Sequence, residues 1–219
     1  MVSQHIALVA KQKPALPASV GRSLLPRRHI EDDDIAESAL LEQIRSFPEA
    51  DSPEDALRAL IPPGLDRNKP APNLKKKMAW FFDQMDKIGD VEGIVGYSEG
   101  ALVAATLLLE DERRFQDEGI PRHLKMGIFF AGWPALNPRT GGLCLADECD
   151  DMVRVPTVHV IGSGDPYLDG SKALYNICDE DTAIFFDHGK GHTLPREGKV
   201  VKELGDTVRR TMEKSREFK

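Results

Sequence analysis

The amino-acid sequence predicts an α/β fold, in which helices flank a mostly parallel sheet. From Lys75 onward, helix-like and strand-like segments alternate, which is the pattern of parallel strands joined by crossover helices. The strand-like segments, such as 126–131 and 155–161, are short and almost continuously apolar, as strands buried on both faces are. The 219 residues are enough for a single domain with one sizeable core.

The predicted elements are listed in chain order: helix 74–88, strand 92–97, helix 99–110, strand 125–131, strand 155–161, helix 168–178, strand 182–187 and helix 197–214. Residues 1–73 are less regular. They offer an opening strand at "HIALVA", helices at "EDDDIAESALLEQIRSF" and at "SPEDALRALI" with Ser52 as its N-cap, and a proline-rich connection at 61–73. We therefore divide the single domain, 1–219, into a divergent N-terminal part, 1–73, and a core, 74–214.

Composition and charge narrow the classes of function. A formal net charge of −7 argues against nucleic acid as a partner, because phosphate binding needs a basic face. The three cysteines are too few for a disulfide framework, and Cys144 and Cys149 lack the spacing and partner ligands of a zinc site. We expect neither a metal nor an organic cofactor. No apolar run approaches the roughly twenty residues of a membrane span, so we expect no membrane partner. The few cysteines, which we expect to be reduced thiols, and the short apolar segment at the N-terminus favour a cytoplasmic location.

The segment Gly96-Tyr97-Ser98-Glu99-Gly100 matches the G-x-S-x-G motif and has the context that the motif requires. An apolar strand precedes it and a helix-forming run follows it. A serine on such a sharp turn projects from the carboxyl edge of the sheet, where the backbone N–H of Glu99 can donate to an oxyanion. The alternative is that Ser98 only caps the helix.

A serine nucleophile needs a histidine base and a carboxylate that orients it, each at the end of a later strand. Asp165 follows one strand in a Gly-x-Asp-Pro turn, and His192 lies in the glycine-rich loop after the next strand. Asp169 is an alternative acid, four residues further on, and His188 is an alternative base directly after the strand. We favour Asp165 because it comes sooner after its strand, in a turn that would aim it across the sheet edge. We favour His192 because its loop is long enough to reach back over Ser98.

Two aromatic residues are candidates for substrate contacts. Tyr97 is adjacent to the serine, and Trp133 follows the strand after the nucleophile helix, where the carboxyl edge of the sheet would be lined. An apolar acyl group would suit this lining. The alternatives are that Tyr97 covers the neighbouring strands and that Trp133 packs beneath its loop.

Four segments taken in order resemble the fungal members of the family of serine hydrolases: "GIVGYSEGALVAATLL", "GIFFAGWPALNP", "VPTVHVIGSGDPYL" and "GHTLPRE". These proteins are small α/β-hydrolases of the carboxylesterase and thioesterase type, and the resemblance covers about residues 75–212. It implies the α/β-hydrolase fold, with Ser98 as nucleophile, Asp165 as acid and His192 as base. Several fungal relatives release a finished chain from a polyketide synthase. The resemblance therefore implies an acyl ester or carrier-bound thioester as substrate, and a polyketide synthase carrier domain as partner.

The N-terminal region departs from the family's pattern. Members usually have a His-Gly segment after the first strand, whose loop supplies the second N–H of the oxyanion hole, but "HIALVAKQKPALPAS" contains no His-Gly. We expect an atypical or shortened N-terminal region. Two other hypotheses stay open: a non-catalytic hydrolase-like protein that binds an acyl ligand or a protein partner, and an acyltransferase or lactone hydrolase that uses the same residues.

Overall fold

The computed structural model describes residues 5–10, 47–60, 72–137 and 139–217. Five strands form one sheet in the sequential order β1-β2-β3-β4-β5. Their bounds are β1, His5–Ala10; β2, Val91–Tyr97; β3, Met126–Phe130; β4, Thr157–Ile161; and β5, Ala183–Asp187. Strands β2 to β5 are parallel to one another, and β1 pairs with β2 in the antiparallel direction. The predicted α/β class with a mostly parallel sheet is confirmed.

Five helices accompany the strands in the described parts of the chain. Their bounds are α1, Pro53–Leu60; α2, Pro72–Ile88; α3, Glu99–Glu118; α4, Leu168–Asn176; and α5, Gly198–Glu217. Every strand and helix predicted from Lys75 onward is present, and α3 is eight residues longer than predicted because it continues from residue 110 to Glu118. The predicted helix within "EDDDIAESALLEQIRSF" and most of the connection 61–73 lie outside the described residues.

Local signals explain where several helices begin and end. The hydroxyl of Ser52 accepts a hydrogen bond from the backbone N–H of Asp55 at 3.1 Å, so Ser52 caps α1 as predicted. At the other end of α3, Gly119 adopts a left-handed conformation with φ of 68°. Its N–H returns to the carbonyl of Phe115 at 3.1 Å, which closes the last turn of the helix.

The two faces of the sheet carry separate cores. On one face, α2 and α3 pack on the sheet through a cluster that includes Met78, Phe82, Ile94, Ala104 and Phe129. On the other face, α5 covers strands β3 and β4, and the contacting residues are Met126, Ile128, Val158, Val160 and Leu204. Both faces of the sheet are covered, so all five residues of β4 are buried. Three of them are apolar, and the other two are Thr157 and His159.

The direction of β1 differs from that of the other strands and affects the N-terminal end of the site. His5 pairs with Tyr97, at the carboxyl end of β2, and Ala10 pairs with Val91, at the other end. The chain therefore leaves β1 at the edge of the sheet opposite to Ser98. The expected opening strand is present, but its carboxyl end is not at the edge where parallel strands place their loops.

None of the described helices combines the length and the apolar character that a bilayer crossing requires.

The imidazole of His159 is buried inside β4 and predicts a pH dependence of stability. It is 1% exposed, its Nε2 lies 3.0 Å from Oγ1 of Thr157, and burial lowers its pKa from 6.5 to about 3. Between these two values the unfolded chain holds a proton on this side chain that the folded chain does not. The contribution of His159 to the free energy of unfolding is therefore complete above about pH 6.5 and falls by up to about 1.4 kcal/mol per pH unit below it.

Urea unfolding at about pH 7 and about pH 5 measures this effect. In a His159→Gln variant, the loss of unfolding free energy between the two pH values should be smaller than in the parent by about 2 kcal/mol. The variant is less stable at neutral pH because the packing of the ring against Phe129 and Tyr175 is lost. The comparison is therefore between the changes of unfolding free energy with pH in the two proteins, and not between their stabilities at one pH. Equal slopes in the two proteins would contradict the prediction.

Candidate active site

Ser98 lies at the sharp turn between β2 and α3. Its backbone angles, φ 54° and ψ −122°, fall in a region that non-glycine residues rarely adopt. The turn is tight because Gly96 and Gly100 pass close together. A Cβ added at Gly96 would lie 2.3 Å from the carbonyl oxygen of Gly100. The N–H of Ser98 donates to the carbonyl of Phe130 at 2.8 Å, which fixes the turn to the end of β3.

The loops that follow β4 and β5 lie against each other at the same edge of the sheet. The N–H of Gly164 donates to the carbonyl of Lys190 at 3.0 Å. A Cβ added at Gly162 would lie 2.0 Å from that carbonyl oxygen, so glycine is required for this approach. The contact brings the turn that carries Asp165 next to the loop that carries His192.

The structure brings Ser98, His192 and Asp165 together at this edge. Nε2 of His192 lies 3.0 Å from Oγ of Ser98, and Nδ1 of the same ring lies 2.8 Å from Oδ2 of Asp165. The side chain of Asp165 is 1% exposed and that of His192 is 23% exposed. Side chains separated by 27 and 94 residues thus form one hydrogen-bonded chain.

The partners of the Asp165 carboxylate favour one tautomer of a neutral imidazole. Oδ1 accepts the backbone N–H of Tyr167 at 2.8 Å, and Oδ2 faces His192. A carboxylate accepts hydrogen bonds, so in that tautomer Nδ1 of His192 carries the hydrogen and Nε2 presents its lone pair to the hydroxyl of Ser98. A proton can therefore pass from the hydroxyl to Nε2 without any rearrangement of the ring.

The alternative acid and base lie in different surroundings. Asp169, in the first turn of α4, pairs with Lys172 at 3.1 Å. His188 is 8% exposed, and its Nδ1 has no hydrogen-bond partner among the described residues. No hydrogen bond to Ser98 or His192 was found for either residue within the described part of the chain.

Two tyrosines flank the imidazole of His192. The ring of Tyr97 lies 5.4 Å from it, and the hydroxyl of Tyr97 donates to the backbone carbonyl of His192 at 3.3 Å. Burial, together with the nearby charge of Asp165, raises the pKa of Tyr97. The ring of Tyr167 approaches His192 edge-on, with centroids 5.2 Å apart. These contacts restrict the movement of the imidazole ring.

Trp133 lies behind Tyr167 and is 8% exposed. Its ring centroid is 6.2 Å from that of Tyr167 and 5.2 Å from that of Phe47. It shares an apolar cluster with Leu57 and Leu145. A substrate contact by Trp133 stays a prediction; both Trp133 and His192 have ring contacts with Tyr167.

Sequence reasoning did not single out Asp187, which ends β5. Its Oδ1 accepts the backbone N–H groups of Ser163 at 3.0 Å and of Gly189 at 2.7 Å. These bonds lower the pKa of Asp187, the one from Gly189 most strongly. The carboxylate thus joins the two loops that carry Asp165 and His192. An aspartate at a strand end followed two residues later by glycine is a turn signal that would have identified it.

The profile of the family described as serine hydrolase (FSH1) matches residues 40–204. The chain belongs to this serine hydrolase family. The family assignment agrees with the serine hydrolase resemblance of the sequence, and the mostly parallel sheet with its covering helices is the α/β architecture that the resemblance implies.

Among curated relatives, Esterase FUS5 of Gibberella moniliformis is 31% identical over 136 residues, which are 61% of this chain and 52% of that protein. Esterase FPY3 of Fusarium mangiferae is 31% identical over 140 residues, with 61% of each chain covered. The chain thus spans a little more than half the length of these relatives. Among solved structures, an acyl-protein thioesterase 2 of Zea mays has a TM-score of 0.43 and 15% identity, with 63% of this chain and 64% of that chain covered.

Proposed function

We propose that this serine hydrolase cleaves a carboxylic ester or thioester through an acyl-enzyme formed on Ser98. The observation that carries the proposal is the hydrogen-bonded chain from Oγ of Ser98 through the His192 imidazole to Asp165. An alcohol is a poor nucleophile at neutral pH, and this arrangement provides the base that activates it. Membership of a serine hydrolase family supports the same chemistry.

The reaction has two halves. Nε2 of His192 takes the hydroxyl proton while Oγ of Ser98 attacks the acyl carbon, and the tetrahedral intermediate then expels the alcohol or thiol, which receives that proton. Water, activated by the same nitrogen, attacks the ester on Ser98 and releases the acid. Asp165 holds Nδ1–H in place and stabilises the imidazolium in both halves.

The backbone N–H of Glu99 is the proposed donor to the oxyanion. Glu99 is the first residue of α3, so the positive end of the helix dipole faces the charge that develops beside Ser98. The family takes a second donor from the loop after its first strand, whereas here Ala10 ends β1 beside Val91, at the opposite edge. A single donor would lower the rate by about 10²–10³ relative to a complete oxyanion hole.

We further propose an acyl thioester on a carrier, such as that of a polyketide synthase, as the physiological substrate class. The support is the resemblance to fungal enzymes that release such chains, together with relatives named as fungal esterases. Tyr97 and Tyr167, which flank His192, are the described aromatic residues best placed to contact the acyl group.

Labelling with a fluorophosphonate tests the proposal. The folded parent should form one covalent adduct, located at Ser98 by tandem mass spectrometry, and His192→Ala should not react at a measurable rate. Hydrolysis of matched p-nitrophenyl and N-acetylcysteamine acyl esters then compares oxygen and sulfur leaving groups. The carrier proposal requires that the thioester have the higher kcat/KM, and a strong preference for the oxygen ester would overturn that part alone.

A folded parent that neither reacts with the probe nor turns over an acyl ester would favour the second candidate, a non-catalytic protein that binds an acyl ligand or a partner. The specific observation in its favour is the antiparallel direction of β1. Transfer of the acyl group to an added alcohol or amine in preference to water would identify an acyltransferase instead.

A further inference from the structure

A cluster of metal-ligand side chains lies in the segment that follows β3, outside the hydrogen-bonded chain at Ser98. Sγ of Cys144, Sγ of Cys149 and a carboxylate oxygen of Asp151 all lie within 4.8 Å of one another. We propose that these three side chains bind one zinc ion, which joins the two ends of the segment 144–151. The carboxylate of Asp151 supplies a partner ligand that the spacing of cysteine and histidine residues does not indicate.

The spacing of the donor atoms suits a tetrahedral zinc ion. With bonds of about 2.3 Å to sulfur and about 2.0–2.2 Å to oxygen, the donors of such a site lie about 3.5–3.8 Å apart. Sγ of Cys149 is already 3.4 Å from Oδ2 of Asp151. Because no pair of donors exceeds 4.8 Å, side-chain shifts of about 1 Å complete the geometry.

The backbone around the three ligands is held by its own hydrogen bonds. The N–H of Cys144 donates to Ala135 at 2.8 Å, and the N–H of Cys149 donates to Leu145 at 3.0 Å. Arg58 of α1 forms ion pairs with Asp147 and Glu148, between the two cysteines. Ordering a loop usually opposes metal binding, and here much of that entropy is already lost in the folded protein.

The proposed zinc site also has a hydrogen bond that orients one ligand and an adjoining cavity with room for a further ligand. Nδ2 of Asn137 donates to Oδ2 of Asp151 at 2.8 Å, which is the kind of bond that orients a carboxylate ligand. A cavity of about 370 Å³ borders Cys149, Asp151 and Asn137. It has room for a water molecule as the fourth ligand. Two thiolates with a carboxylate form a mixed soft and hard set that suits zinc better than calcium or magnesium.

The full chain, reduced and freed of metal by a chelator, should be titrated with Co²⁺ and then with Zn²⁺. Co²⁺ should bind once per chain and give a thiolate-to-cobalt charge-transfer band together with the intense visible bands of tetrahedral cobalt. Both thiol protons pass to the buffer as the sulfurs bind. Zn²⁺ should displace Co²⁺, abolish the visible bands and slow the alkylation of Cys149 by iodoacetamide.

Variants locate the site. Cys149→Ser should lose most of the charge-transfer intensity, and Asp151→Asn should weaken Zn²⁺ binding by more than about tenfold, since even an outer-shell change costs about 10–100-fold. Asp150→Asn is the matched control, because it removes a neighbouring carboxylate that is not part of the cluster, and it should bind zinc as the parent does. Thermal melts of the metal-free proteins confirm that each variant is folded.

Three results would overturn the proposal. One is a folded, fully reduced chain that gives no charge-transfer band at micromolar Co²⁺. Another is equal zinc affinity in Asp151→Asn and Asp150→Asn. The third is the recovery of Cys144 and Cys149 as a disulfide that reductant does not open. None of these readouts depends on esterase activity, so the outcome is independent of the proposed function.

Discussion

Replacing Ser98 with alanine should lower kcat for an acyl ester by about 10⁵–10⁶-fold and abolish labelling by a fluorophosphonate. The reason is that the variant lacks the oxygen that attacks the acyl carbon, while the His192–Asp165 pair and the backbone at the helix end remain. Because substrate contacts survive, KM should change little. Single-turnover assays with enzyme purified on unused resin measure the residual rate without contamination by parent enzyme.

Ser163→Ala is the matched control for this experiment. Ser163 lies at the same edge of the sheet and is exposed. Alanine keeps the backbone N–H that donates to Asp187 and removes only the hydroxyl bond to the same carboxylate. Its kcat should fall by less than about threefold, the range of an exposed substitution. Labelling that persists in Ser98→Ala, or that is lost in Ser163→Ala, would show that the nucleophile lies elsewhere.

Periodicity was sufficient to predict the core of the fold. The apolar runs of β3 and β4 and the helical spacing of Met78 and Met85 are local patterns, and the structure has these elements within a few residues of the predicted bounds. The length of α3 was underestimated because charged residues dominate after Leu109, although ion pairs such as Arg113 with Glu110 support the continued helix there. The direction of β1 has no local signature, since either direction buries Ile6.

In the candidate site too, some residues can be predicted from the sequence and others cannot. The G-x-S-x-G turn, Asp165 and His192 follow from chain order, because the carboxyl ends of parallel strands meet at one edge. The residues that hold them in place do not follow from chain order. Asp187 joins two loops through backbone N–H groups, and Tyr167, from the segment after β4, contacts His192, from the loop after β5. The position of Trp133 after β3 predicts that it lies near the carboxyl edge of the sheet. Its burial depends on a contact with Phe47, which is far away in the sequence.

Replacing Asp165 with asparagine should lower kcat by about 10⁴-fold without unfolding the protein. The asparagine can keep the bond from the N–H of Tyr167, but its amide then donates toward Nδ1 of His192. The imidazole must accept that bond, so its hydrogen moves to Nε2, which can no longer take the proton of Ser98. Stability should hold or rise, because a carboxylate that is 1% exposed is replaced by a neutral side chain.

Asp169→Asn distinguishes the two candidate acids. Asp169 is four residues from Asp165 and pairs with Lys172 on the same helix, so its loss should change kcat by less than about threefold and stability by less than about 1 kcal/mol. Both variants remove one negative charge from the segment after β4, so a difference between them cannot be explained by the change in net charge. A larger loss of kcat in Asp169→Asn than in Asp165→Asn would reverse the assignment, and the hydrogen bond between His192 and Asp165 would then have a structural role.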